Sequence, residues 1–146
     1  LESLTHCRKS MGLEVFAYVI MSNHMHVIFR SKTGELSKTV GSFKRHTSKK
    51  IMHEIASNPE ESRKKWLEMM FKYHAKFNKR VNDVQFWTHD NHAVELFDHN
   101  IFKTRLEYIH NNPVKAGWVD APEHYLYSSA RNYADEDALI EIDLAF

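Results

Sequence analysis

Apolar residues recur along this chain with two periods, and each change of period marks an element. Leu1 to Met11 is mixed in a helical pattern and ends at Gly12, a normal helix terminator. Glu14 to Met21 (EVFAYVIM) is dense in β-branched and aromatic residues and predicts a strand. Ser22-Asn23 is a two-residue turn signal, so His24 to Arg30 is expected to return as its hairpin partner. From Glu35 to Ser57 the spacing becomes helical, with Leu36, Val40, Phe43, Thr47 and Ile51 on one face and Lys38, Arg45 and Lys49 on the opposite one. A second helix is expected to open near Pro59. In it Trp66, Met70, Tyr73 and Phe77 share a face, while Lys65, Lys72, Lys76 and Lys79 form another. Val84 to Thr88 and Ala93 to Phe97 read as short strands around a His89-Asp90-Asn91 turn. Asp98 is placed to cap a helix running to about Asn111, which Pro113 stops because the residue before a proline is pushed out of the α region. The remainder reads as loop, with a helical turn near Ser128, whose hydroxyl and that of Ser129 suit caps or turns, and a last strand at Leu139 to Ile142.

Helices segregated from antiparallel strands make an α+β fold, and a hairpin followed by helices suits a ferredoxin-like arrangement with helices on one side of the sheet. Such folds usually open on a strand, whereas this chain opens inside a helix.

Composition narrows the class. With 146 residues and 42% hydrophobic residues the chain is long enough for one packed core. No apolar run approaches the ~20 residues that span a membrane, and the polar opening carries no secretory signal. The single Cys7 has no partner for an internal disulfide, so a reducing cytoplasm is expected. The net charge of +1 conceals an asymmetry, because residues 135–146 hold five acidic and no basic side chains. The rest of the chain sets 20 basic residues against 14 acidic ones, an excess of +6. That excess favours a polyanionic partner, although charge alone is equally compatible with a solvated surface.

Two segments carry candidate chemistry. In His24-Met25-His26 the alternation of a strand puts both imidazoles on one face, which makes half of a metal site. Eleven histidines are spread through the chain, so the pair by itself leaves a structural role open. In the run RLEYIHNNPVKAGWV, Tyr108 and Asn112 lie four apart and meet on one helix face, at the edge of a stripe of Ile101, Leu106 and Ile109. For a lone tyrosine so placed, a packing residue with a hydrogen-bonded hydroxyl is the commoner outcome. Trp87 and Trp118 are candidates for stacking on bases or for the core. His89 and His92, three apart in a turn, are a poor template for a second metal site.

Together these segments resemble the single-tyrosine HUH transposases. AYVIMSNHMHVIF is similar to the motif in which two metal-binding histidines flank a hydrophobic residue, and YIHNNPVKAGWV followed by YLYSSARNY resembles the tyrosine helix and tail of the REP-associated branch. FWTHDNHAVEL is similar to a middle segment of the same branch, so the likeness runs from about Val15 to Tyr133. The resemblance implies a transposase domain over residues 1–134, followed by an acidic tail at 135–146. It implies one Mg²⁺ or Mn²⁺ held by His24, His26 and Asn112, the last in place of the glutamine of some members. It further implies Tyr108 as the nucleophile and single-stranded or hairpin DNA as the substrate, in a monomer or homodimer away from membranes. Lys38, Arg45 and Lys49, with Lys65, Lys72, Lys76 and Lys79, would then track phosphates. Members of the family carry a strand before the first helix, so the sheet is expected to lack that strand and to keep an unpaired position. A nucleic-acid-binding module without activity, and a metal-dependent nuclease using water, share these features.

Overall fold

The computed structural model describes residues 1–77 and 84–145. Along the chain it has α1 (Glu2–Met11), β1 (Leu13–Ile20), β2 (Met25–Ser31), α2 (Leu36–Ser57), α3 (Lys64–Lys76), α4 (His99–His110), α5 (Asn112–Lys115), a 3₁₀ turn (Pro122–His124) and α6 (Ala130–Tyr133). The class is α+β, a two-stranded antiparallel sheet with helices, consistent with a partial ferredoxin-like fold that lacks a strand. Two compact units are distinguishable, one made of residues 1–39 and 94–146, the other of residues 40–93.

The first unit is organised by β1. Gly12 ends α1 at φ 63°, where a Cβ would meet the Thr33 methyl at 3.1 Å, and the chain turns directly into the strand. Five consecutive residues, Val15 to Val19, are buried, which alternating side chains allow only if both faces of the strand are covered. A bulge at Phe16 puts Phe16 and Ala17 in one apolar cluster with Val19, Met21, Ile28 and Ile109, and Phe16 meets Phe102 of α4 edge to face at 6.1 Å. The expected hairpin forms: Ile20 pairs with Met25, and Met21 N–H donates to the His24 carbonyl at 2.8 Å.

Beyond the hairpin, β1 has a second edge, and the end of the chain covers it. Ile20 N–H donates to Tyr127 O, Ser129 N–H to Tyr18 O, and Asp143 N–H to Val15 O, at 2.8–2.9 Å. Side chains complete the row. Ser129 Oγ accepts Tyr18 N–H, Asp143 Oδ2 accepts Val15 N–H, and the Tyr125 and Tyr133 hydroxyls donate to Ile20 O and Phe16 O. Arg8 from α1 fastens Asp143, with Nε to Oδ2 at 2.9 Å and Nη2 to Oδ1 at 3.1 Å. Asp143 therefore bridges helix, strand and tail. Burial costs the pair little, since each charge meets a directed partner, and the Arg8 guanidinium holds the Asp143 carboxyl below its usual range. The last strand expected at Leu139 to Ile142 is absent; the tail engages β1 through Asp143 instead. Among the described residues β2 has β1 as its only strand neighbour, so the unpaired position expected of the sheet lies on the outer side of β2.

In the second unit α2 runs as expected, and α3 starts from a different signal. α3 begins at Lys64 rather than near Pro59, because Asn58 Oδ1 accepts Glu60 N–H and Glu61 Oε1 accepts Arg63 N–H, which satisfies the intervening backbone in turns. The strands expected at Val84 to Thr88 and Ala93 to Phe97 do not form. The aromatic content that suggested the first serves packing instead: Phe86 lies on Phe71 (5.3 Å) and Trp87 on Phe43 (6.2 Å), with Trp87 Nε1 donating to Thr47 Oγ1 at 2.9 Å. Lys44 fastens the following turn by donating to the Thr88 carbonyl and to Asn91.

Candidate functional site

The hairpin and α4 bring the two chemical segments together. His26 stands across from Val19 on β1 and shares a strand face with Ile28, the face packed by Ile109 of α4. His24 is exposed, just before β2, and its ring meets that of His26 edge to face at 5.0 Å. Tyr108 sits beside the buried Ile109, and its ring meets His26 at 5.4 Å. His24, His26 and Tyr108 thus form one continuous row of rings. Tyr108 is 42% exposed, so the row lies on an open surface that a polymer can reach. The cavity of about 290 Å³ among Phe102, Leu106, Tyr133 and Leu144 has none of the three in its lining.

Local sequence explains why α4 presents Tyr108 in this way. Asp98 caps the helix by accepting N–H groups from Asn100 (2.7 Å) and Ile101 (3.2 Å), which is worth about 1 kcal/mol. At the other end Asn111 and Asn112 each donate a side-chain amide four residues back, to Glu107 O and Tyr108 O at 2.8 Å. These bonds close carbonyls that a helix end leaves open. The buried Pro113 then starts α5 in the following turn rather than ending helical structure altogether. His110 is the buried anchor of α4, 8% exposed, with Nε2 2.8 Å from Ser129 Oγ on the segment that covers β1. Loss of water around it pushes its pKa down to about 4, so it is a neutral packing partner at pH 7.

A divalent ion needs neutral imidazoles that each present a nitrogen lone pair. His24 Nδ1 lies 2.7 Å from Asn23 Oδ1, and in the tautomer that donates to this oxygen Nε2 is the nitrogen left to ligate. Burial, and secondarily the neighbouring His24, lowers the pKa of His26 and keeps it neutral, as a ligand must be. Two imidazoles bound to one ion through nitrogens about 2.1 Å away set their ring centres roughly 4.5–5.5 Å apart, and the pair here falls in that interval. Among the described residues no three His, Cys, Asp or Glu side chains gather in a metal-holding group, so a third protein donor would come from a neutral oxygen, such as an amide, a hydroxyl or a backbone carbonyl. Asn112 suits that part, because its Nδ2 is committed to Tyr108 O and its Oδ1 is left to accept. The histidine pair by itself has a spacing that fits one ion.

One neighbour of Tyr108 has no signal in the sequence pattern. Lys115 Nζ lies over the Tyr108 ring, 5.3 Å from its centre. The seven-residue separation across Asn111–Pro113 hides this contact, since the spacing rules of a single helix do not cross a break. The other C-terminal tyrosines divide by use: the hydroxyls of Tyr125 and Tyr133 are spent on β1, and Tyr127 is half exposed. Of the basic side chains, Lys38, Arg45 and Lys49 are exposed along α2, with Lys38 paired to Glu35 at 3.0 Å, and Lys65, Lys72 and Lys76 are exposed on α3. Lys79 lies outside the described residues. Trp118 is 46% exposed beside Tyr125, His89 and His92 are exposed, and His92 faces Asp90 at 3.6 Å.

No helix is long and apolar enough to cross a membrane among the described residues. No curated protein and no solved structure matches the chain. Residues 1–72 match the family described as IS200-like transposase, a stretch that includes the histidine hairpin and α2 and stops short of Tyr108. That likeness covers just under half of the chain.

Proposed function

We propose that this chain is a single-tyrosine HUH transposase of the REP-associated kind, which nicks and rejoins hairpin-bearing single-stranded DNA through a covalent tyrosine intermediate. The observation that carries the reading is the row of rings His24, His26 and Tyr108, with successive centres 5.0 and 5.4 Å apart. His24, His26 and Asn112 would hold a Mg²⁺ or Mn²⁺, which supplies Lewis-acid polarisation of the scissile phosphate when bound. Tyr108 Oη attacks phosphorus, an Oη–P bond forms and the P–O3′ bond breaks. The phenol proton passes to solvent, which the exposure of Tyr108 permits, and the departing 3′ oxygen takes up a proton. The products are a 5′-phosphotyrosine and a free 3′-hydroxyl. A later 3′-hydroxyl attacks the phosphotyrosine and restores a phosphodiester without ATP. Rigid placement matters, because a neutral phenol is a weak nucleophile. The domain over residues 1–134 holds these parts.

The test is incubation with a labelled hairpin-bearing single strand and Mn²⁺, followed by a denaturing gel. A slow, protease-sensitive adduct that Tyr108→Phe abolishes supports the reading. Cleavage without adduct identifies a nuclease using water, and binding without cleavage identifies a binding module; either outcome overturns it.

A further inference from the structure

The face of α3 that its apolar pattern would turn inward is turned to solvent. Within the second unit, the inner face is formed by Leu67, Phe71 and Ala75, with Phe86 packed on Phe71 and Gln85 N–H bonded to the Phe71 carbonyl. Trp66, Met69 and Tyr73 on the other side are 51–59% exposed, and Phe77, the C-cap residue, is 73% exposed. Tyr73 and Phe77 stand edge to face with ring centres 5.0 Å apart. So much exposed aromatic surface on one short helix is uncommon for a surface with nothing to bind.

Lysines run in step with this row. Lys65, Lys72 and Lys76 each directly precede Trp66, Tyr73 and Phe77, so on a helix the basic row lies about 100° round from the aromatic row over the same length. α3 holds four lysines against the single Glu68, which approaches Lys72 only at 3.9 Å. Flat rings beside a parallel row of cations match the chemistry of a single strand, whose bases present π-faces and whose backbone presents phosphates at a fixed offset. A second copy of this chain fits less well. Two α3 faces packed antiparallel about a dyad would bring their lysine rows together, with no matching acidic row to receive them.

We propose that this face of α3 is a stacking platform for unpaired nucleotides, with Trp66, Tyr73 and Phe77 under the bases and Lys65, Lys72 and Lys76 along the phosphates. The proposal rests on the reading that this chain handles single-stranded DNA, and it assigns where an unpaired stretch lies apart from the tyrosine. From Trp66 to Phe77 the helix rises roughly 16 Å, the length of about five nucleotides at duplex spacing. The platform therefore discriminates strand state rather than sequence.

The experiment uses the full chain and a fluorescent ten-nucleotide oligothymidine with no hairpin, followed by anisotropy over a range of salt. The variants are Trp66→Ala/Tyr73→Ala/Phe77→Ala and, separately, Lys65→Ala/Lys72→Ala/Lys76→Ala. All six side chains are exposed, and circular dichroism verifies that both variants fold. The aromatic variant is expected to bind at least about tenfold more weakly at every salt concentration with an unchanged salt slope. The lysine variant is expected to lower the slope of log affinity against log salt by about 2, from ~0.7 per phosphate contact. Binding to a duplex of the same length should be indifferent to the aromatic variant. Unchanged single-strand affinity in the aromatic variant overturns the platform. So does sedimentation showing that the aromatic residues hold a dimer, or Trp66 fluorescence that responds to anionic vesicles and not to oligothymidine. The adduct assay with Tyr108 is read separately: an adduct without the affinity loss sinks only the platform, and the affinity loss without an adduct sinks only the transposase reading.

Discussion

Ser129→Ala is a one-atom deletion with a large expected cost. Ser129 is fully buried, and its Oγ serves three groups at once: Tyr18 N–H at 2.9 Å, Tyr18 O at 3.2 Å and His110 Nε2 at 2.8 Å. Alanine keeps the backbone bond from Ser129 N–H to Tyr18 O but leaves the Tyr18 N–H and the His110 ring nitrogen without partners in a dry site. Each unsatisfied buried group costs about 1–3 kcal/mol, so the substitution should destabilise the protein by roughly 2–5 kcal/mol. For a chain of this size that is a fall in Tm of roughly 8–20 °C. Ser128→Ala is the matched control. Ser128 is as deeply buried, but its Oγ only accepts the Ala130 N–H at 3.1 Å, and the loss should be about 1 kcal/mol. Urea unfolding followed by far-ultraviolet circular dichroism measures both. A Ser129→Ala midpoint within about 0.5 kcal/mol of the parent, or a larger loss in Ser128→Ala, would refute the claim that this hydroxyl ties α4 to β1.

Three further outcomes are expected. Because His110 titrates near 4 when folded and at its ordinary value of 6.5 when unfolded, the unfolded chain takes up that proton first. Its contribution to stability is therefore whole above about pH 6.5 and is lost as pH falls towards 4; urea midpoints across that window should show the fall, and His110→Gln should flatten it. Asp143→Ala removes both oxygens from Arg8 and one from Val15 N–H, and should cost about 1–3 kcal/mol in the same unfolding assay. Lys115→Ala should slow adduct formation about threefold, the worth of a unit charge roughly 6 Å from the phenolic oxygen in a water-like dielectric, while Lys115→Arg keeps most of the rate; single-turnover gels decide it.

Short-range pattern was a good guide wherever the structure is decided locally. α1 with its glycine stop, the hairpin about Ser22-Asn23 and the Asp98 cap all rest on residues within four positions of one another. The candidate site was legible for the same reason: an alternating histidine pair and a tyrosine on the rim of an apolar stripe each need only their own element, and the core between β1 and α4 then brings them together. What stayed hidden was decided at long range. Ser128 and Ser129 read as turn residues, yet their segment lies along β1, because hydroxyls and tyrosine tips there stand in for the ladder of a true strand. Phe86 and Trp87 read as a strand because aromatics are common in strands, but they had a helix to pack on and no strand to pair with. Trp66, Tyr73 and Phe77 have helical spacing like that of any core stripe, and periodicity does not distinguish a face turned to a core from one turned to a ligand.

The covering of β1 by the end of the chain also has a consequence in time. The partners of Tyr18 and Val15 on that edge lie 111 and 128 residues further along. A ribosome adding about 5–20 residues per second needs roughly 6–25 s to pass from Val15 to Asp143. Through that interval α1, the hairpin and α2 can form, but the strand at the centre of the first unit keeps a row of unsatisfied amides and carbonyls on one side. The unit can close only once the ribosome has passed Asp143, so its folding belongs with slow, non-local topologies. A nascent chain stalled before Asp143 should accordingly offer that bare edge to any other strand it meets, including the same edge on a neighbouring nascent copy.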